Sequence, residues 1–94
     1  MSTDALVVND SIATSAESHG LTGAVKEFEV VNVDGAGYVT YTIDGTTAVL
    51  DAEGALNLPK SAGAKNVHKG SWSGGITLSL IASTATVVSI RKLA

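Results

Sequence analysis

Two histidines, His19 and His68, together with scattered serines and aspartates, are the residues of this sequence that could do acid–base chemistry. A histidine, a serine such as Ser71 and an aspartate are the parts of a nucleophile–base–acid set. The sequence has no Gly-x-Ser-x-Gly turn that would present a nucleophile, and the spacing of these residues favours no such set. We therefore predict no catalytic residue and no enzyme, and interpret His68 as an exposed loop histidine beside Lys69.

The types and spacing of the potential ligand residues also argue against a metal site. The sequence has no cysteine, and its two histidines lack the short spacing that is typical of a zinc site. Asp44-Gly45 and the turn at residues 51–54 resemble fragments of calcium loops without the regular ligand pattern. We predict no metal and no cofactor. A metal held by copies of one histidine on the symmetry axis of an oligomer stays open as an alternative.

Binding residues are easier to propose, because basic side chains concentrate in one segment. Lys60, Lys65, His68 and Lys69 lie within ten residues, and the single tryptophan, Trp72, follows. We predict that Lys60, Lys65, Lys69 and Trp72 bind a partner protein, with the lysines steering it and the tryptophan anchoring it. The alternatives are a solvated lysine loop and a tryptophan that folds back over the edge of the core.

Composition limits the class of protein. Ninety-four residues suit one domain, and the net charge of −3 argues against nucleic-acid binding, which requires a basic surface. No apolar run is long enough to span a bilayer, so we expect no membrane partner. Only 4% of the residues are aromatic, so small aliphatic side chains must fill the core. We expect a neighbouring copy to complete that core, with a trimer as the predicted state.

The elements that must position these residues are β-strands. Apolar and polar residues alternate in short runs separated by turn residues, and no apolar stripe of helical period is sustained. The sequence therefore predicts an all-β fold: a small antiparallel β-sandwich, jelly-roll-like or Ig-like, of seven to eight short strands. The predicted strands lie at residues 25–33, 38–43, 46–50, 55–58, 66–69, 76–80 and 87–90.

The two ends of the sequence carry separate predictions. Residues 76–94 predict a hairpin of two antiparallel strands that closes or edges a sheet. Residues 70–75 are loop by composition, and Pro59 fits a sheet edge. Residues 1–24 form an N-terminal arm or short strands at 5–8 and 11–14 around a turn at Asn9-Asp10, with residues 14–20 as loop. Residues 25–94 form the sandwich domain.

A resemblance to a known class of proteins rests on the order of turn and strand residues. The stretches 28–33, 38–46, 55–59 and 76–81 follow the order valine-x-asparagine, glycine, tyrosine-x-threonine with aspartate-glycine, leucine-proline, then an apolar run. Over residues 25–94 this order resembles small virion proteins of tailed bacteriophages, of the head decoration, cement or fibre-associated kind. The resemblance implies a β-sandwich that binds the outside of a capsid or tail, usually as an oligomer, without enzymatic activity.

The expected function is therefore capsid decoration. We predict a structural protein that is made in the host cytoplasm, resides in the virion, and binds the major capsid protein or another virion protein as a homotrimer. The alternative is a tail or fibre module that binds host-surface glycan, with Tyr38 and Trp72 as stacking platforms.

Overall fold

The computed structural model describes the chain from residue 7 onward, and the regular structure of this part is entirely β, as predicted. Residues 1–6, which include half of the predicted strand at 5–8, lie outside the described residues. The eight strands are β1 (Val7–Ile12), β2 (Glu17–Leu21), β3 (Val25–Asn32), β4 (Val39–Thr42), β5 (Leu56–Leu58), β6 (Lys65–Trp72), β7 (Ile76–Ala82) and β8 (Thr86–Lys92).

The strands form two four-stranded antiparallel sheets. Sheet A has the order β1-β8-β3-β6, and sheet B has the order β2-β7-β4-β5. The chain doubles back on itself around residues 43–55, so that its first four strands pair with its last four as one long antiparallel ribbon. The pairs are β1–β8, β2–β7, β3–β6 and β4–β5. Rolling that ribbon up brings β8 against β3 and β7 against β4. This is the strand order of a jelly roll, the first of the two predicted sandwich types.

The core lies between the inner faces of the two sheets. Phe28 and Tyr41 are its largest side chains, and small aliphatic residues fill the rest, as the composition predicted. None of the buried side-chain polar atoms in the described part of the chain lacks a hydrogen-bond partner. The core cluster consists of Ile12, Leu21, Val25, Phe28, Val30, Val39, Tyr41, Leu58, Ile76, Leu78, Leu80, Ala82, Val88 and Ile90.

The predicted C-terminal hairpin is wrong, although both of its strands exist. β7 and β8 do not pair; each is an inner strand of a different sheet. The three residues 83–85 carry the chain across the core, and the crossing is fixed where Ser83 and Tyr38 exchange two hydrogen bonds of 3.0 and 3.1 Å. Crossing gives each strand two ladder neighbours, whereas a terminal hairpin would leave one of them at an edge.

Three local predictions near the ends of the sheets are also wrong. β1 runs straight through Asn9-Asp10, because pairing with β8 holds it extended where a turn was expected. β2 begins at Glu17 inside the predicted loop 14–20 and ends just beyond it, and β6 extends to Trp72 into the predicted loop 70–75. β2 and β6 are edge strands that pair through backbone atoms, so they need only a weak apolar pattern.

The long β4–β5 loop, residues 43–55, covers the outer face of sheet B. Ala48 is buried there, and its N–H donates to Ser79 Oγ on β7 (2.9 Å). The N–H of Asp51 donates to Thr40 Oγ1, which is fully buried on the outward side of β4. The strand predicted at residues 46–50 is therefore wrong: its apolar residues serve a covering loop. Sheet A has no such cover among the described residues.

Candidate protein-binding surface at the β6 edge

β6 is the longest edge strand of the described chain, and it holds most of the predicted binding residues. It pairs with β3 on one side, and no described strand lies on its other side. Side chains alternate between the two faces of this strand. The outward face carries Lys65, Val67 and Lys69, and the face toward the core carries Asn66 and His68. Two of the predicted binding lysines are thus brought onto one face of one strand.

The outer face of sheet A continues from these lysines as a mixed apolar and charged surface. Val67 lies opposite Glu29, and Lys65 lies opposite Val31. Val33, just beyond the end of β3, is 45% exposed and Val67 is 43% exposed. The outer face of sheet A thus combines two exposed valines with lysine and glutamate side chains.

The inward side of β6 carries a hydrogen-bonded cluster that reaches across the core to sheet B. The Asn66 side chain donates to the Tyr41 hydroxyl (3.0 Å) and to the backbone oxygen of Asn57 (3.1 Å). The Tyr41 oxygen lies 2.6 Å from Nε2 of His68. The tyrosine oxygen therefore lies within hydrogen-bond distance of both Asn66 and His68.

Burial favours the uncharged form of both Tyr41 and His68. It raises the pKa of Tyr41 to about 12, against a smaller opposing effect of the Asn66 hydrogen bond. Desolvation lowers the pKa of His68. His68 also stacks on Phe28, with ring centroids 5.0 Å apart. The prediction of an exposed loop histidine is wrong, because β6 turns this side chain toward the core and Nε2 bonds to Tyr41.

Trp72 ends β6 and packs onto the core edge. Its ring meets Phe28 edge to face, with centroids 5.3 Å apart, and the side chain is partly buried against the core cluster. The ring also folds back over Gly70, where a Cβ would lie 2.9 Å from the tip of the indole. These contacts favour the interpretation in which Trp72 covers the core edge; its role as a partner anchor stays a prediction.

Lys60 is separated from the other binding residues. It is exposed in the turn that follows Pro59, before β6 begins. The predicted basic segment therefore divides into Lys65 and Lys69 on the strand, Lys60 on a turn, and Trp72 against the core.

The other candidate residues for chemistry are dispersed. His19 Nε2 lies 2.8 Å from Glu17 Oε2 on β2, and Ser71 is exposed near the end of β6. Among the side chains that the structure describes, no three histidine, aspartate or glutamate residues come together as a potential metal site. The described part of the chain also contains no helix that could cross a membrane.

A cleft of about 290 Å³ opens between the end of β4 and the covering loop. Its lining is mixed, with Tyr41 and Leu56 at one side and Asp44, Thr46 and Glu53 among the loop residues. Asp44 is already occupied, because its Oδ1 accepts two hydrogen bonds from Thr46.

Tyr38 and Trp72, the expected stacking platforms for glycan, lie at opposite ends of the sandwich. Trp72 pairs with Val25 at the start of β3, whereas Tyr38 follows the turn beyond the end of that strand. The Tyr38 hydroxyl donates to Asp51 Oδ2 (2.7 Å), and this hydrogen bond raises the pKa of Tyr38. The two rings therefore do not form one sugar-binding platform.

Comparison of this chain with protein-family models, with curated proteins and with solved structures finds no match.

Proposed function

We propose that this chain is a non-enzymatic structural protein of a tailed-phage virion, held on the outside of the capsid by the outer face of sheet A. The observation that carries the proposal is the difference between the two sheets. The chain's own loop covers sheet B, whereas sheet A presents Val33 and Val67 to solvent beside the lysines of β6. A small domain with one covered and one bare sheet face is suited to binding a larger surface on one side.

The jelly-roll strand order supports the same proposal at the level of fold. Eight-stranded jelly rolls occur in viral capsid proteins, and also in lectins, so the fold alone does not choose between decoration and glycan binding. The separation of Tyr38 from Trp72 favours decoration, because it removes the aromatic platform that the glycan alternative requires.

The test has two parts. Mass spectrometry of purified particles of the encoding phage should find the chain in stoichiometric amounts. The purified chain should also cosediment with heads from a deletion mutant that lacks it. Val33→Glu and Val67→Glu should each weaken that binding about tenfold or more, since a carboxylate buried without a partner at an interface costs more than about 1.4 kcal/mol.

Val49→Glu is the matched control. Val49 is 60% exposed, but it lies on the loop that covers sheet B. The same substitution there should leave head binding unchanged. The proposal fails if the chain is missing from particles, or if the Val49 variant loses binding as strongly as the sheet A variants.

A further inference from the structure

We propose that the free edge of β6 accepts an extended acidic segment of a partner protein as an added strand of sheet A. The proposal rests on the proposed function only in placing that segment on a virion protein. The first observation is the edge itself: eight residues paired on one side only. An edge strand presents backbone N–H and C=O groups that a partner strand can satisfy.

The usable part of the edge is residues 65–69. The β3–β6 register is regular from Val31↔Lys65 to Glu27↔Lys69, and it shifts between there and Val25↔Trp72. Such a shift twists and bends the strand, so continuous pairing of a partner would stop near Gly70. Residues 65–69, with their three outward side chains, therefore determine which side chains a complementary partner strand must have.

Those three side chains specify a charge pattern. Lys65 and Lys69 are exposed on the outer face, with the half-exposed Val67 between them. A partner strand in register sets one of its residues directly opposite each of these. The complementary segment therefore has carboxylates four residues apart with a β-branched residue midway. This pattern is the same for a parallel and an antiparallel partner.

The same charges disfavour a second copy of this chain as the occupant. An antiparallel β6–β6 pair centred on Val67 would set Lys65 of each copy opposite Lys69 of the other. Like charges directly opposite each other destabilise a strand pair. β6 is thus protected against self-pairing while it stays complementary to an acidic strand.

The two lysines contribute unequally. Lys69 lies across from Glu27 on β3, a cross-strand neighbour of opposite charge, whereas Lys65 lies across from the uncharged Val31. Lys65 is therefore the stronger determinant for an acidic strand, and its removal should weaken binding more than removal of Lys69.

The experiment is a titration of the isotope-labelled chain, followed by amide resonances. The acidic peptide is acetyl-Thr-Glu-Thr-Val-Thr-Glu-Thr-amide, and the matched peptide has lysine at both glutamate positions. We expect the acidic peptide alone to bind, with shifts and hydrogen-exchange protection centred on residues 65–69. Lys65→Glu should weaken binding about three- to tenfold and Lys69→Glu less, with both effects reduced at high salt.

The control reverses the charges on both the strand and the peptide. A variant that had merely lost its fold would not gain binding to the lysine peptide. The double variant Lys65→Glu, Lys69→Glu should bind the lysine peptide and not the acidic one. Lys60→Glu makes the same charge change off the strand and should leave affinity unchanged. The inference is overturned if neither peptide binds at millimolar concentration, if both bind equally, or if Lys60→Glu weakens binding as much as Lys65→Glu.

The outcome is separable from that of the head-binding test. Heads that bind the chain while both peptides fail would end the strand-addition inference and leave the proposed function standing. Selective peptide binding by a chain that is missing from virions would do the reverse.

Discussion

At the scale of single residues, the buried Asn32 connects separate turns of the fold. Its Nδ2 donates to the backbone oxygens of Gly37 and Pro59, both at 2.9 Å, and its Oδ1 accepts from the N–H of Gly35. In the sequence Asn32 belongs only to the valine-x-asparagine stretch, and no local pattern indicates its contact with Pro59. Because Pro59 lies 27 residues away, only the packed fold brings the two together.

We predict that Asn32→Asp lowers the free energy of unfolding by about 2–3 kcal/mol, because a carboxylate cannot donate to the two carbonyl oxygens. Urea unfolding measures the change. The control is Asn57→Asp: Asn57 is exposed, and its Oδ1 accepts a hydrogen bond from Thr40, which a carboxylate can also do. Equal losses in the two variants would contradict the assigned role of Asn32.

The lowered pKa of His68 predicts that stability decreases in mild acid. An unfolded histidine has a pKa near 6.5, and the folded value is lower, so the unfolded chain binds more protons. The contribution of neutral His68 is complete above pH 6.5 and is lost as the pH falls through the folded pKa. Urea midpoints between about pH 8 and 5 should show this slope. His68→Gln, which removes the titrating imidazole, should reduce it; an unchanged slope would count against the cluster.

Tyr41 gives the opposite dependence at high pH. Its folded pKa of about 12 exceeds the ordinary 10.0, so the folded chain keeps a proton that the unfolded chain loses. The resulting stability is present below pH 10 and disappears as the pH rises toward 12. Ultraviolet titration of the phenolate should show a late step that Tyr41→Phe removes. A Tyr41 that ionises at its ordinary pKa would contradict the burial described here.

At the scale of elements, the strongest alternations in the sequence predicted strands correctly. β3 and β4 lie within predicted strands, and β7 and β8 include the predicted strands 76–80 and 87–90 and extend beyond them. One face of each of these four strands is buried, which leaves a period-two pattern in the sequence. β2 was missed because Glu17-Ser18-His19-Gly20 has no apolar alternation. The covering loop was mistaken for a strand, since Ala48 is buried without belonging to a sheet.

Only part of the candidate binding surface could be predicted, because the rest of it depends on contacts between distant parts of the sequence. The concentration of lysines was visible in the sequence, but their sharing of one face depends on β6 being a strand. The contact between Tyr41 and His68 joins residues 27 apart, on different sheets, so no local spacing could indicate it.

The end of β6 provides a prediction for this scale. We expect Trp72→Ala to lower stability by about 1–3 kcal/mol, because the ring packs against Phe28 and the core edge. In a domain of this size each kcal/mol corresponds to a melting temperature about 4–8 °C lower. Trp72→Phe should recover part of the loss. A normal melting temperature combined with lost head binding would instead favour the interface anchor.

At the scale of the whole molecule, the core is closed within one chain. The radius of gyration is 12.3 Å, close to the ~12.4 Å expected for a single compact domain of this length. Each of the core side chains is at most 6% exposed. The trimer therefore remains a prediction. The reason given for it, that a neighbouring copy completes the core, does not apply, because one chain already buries its core.

This closure predicts that folding does not depend on self-association. We expect the melting temperature to stay constant over a hundredfold range of protein concentration, since only species that assemble on folding show mass-action stabilisation. Differential scanning calorimetry at several concentrations measures it. A melting temperature that rises with concentration would show that copies stabilise one another.

The crossing between β7 and β8 has a consequence for synthesis on the ribosome. The two inner strands, β8 between β1 and β3 and β7 between β2 and β4, follow the other six described strands in the sequence. A nascent chain that ends before residue 76 lacks the described partner strands of β1 and β2, whereas β3 can pair only with β6 and β4 only with β5. β1 and β2 therefore stay unpaired until β7 and β8 have emerged, and neither four-stranded sheet is complete before then.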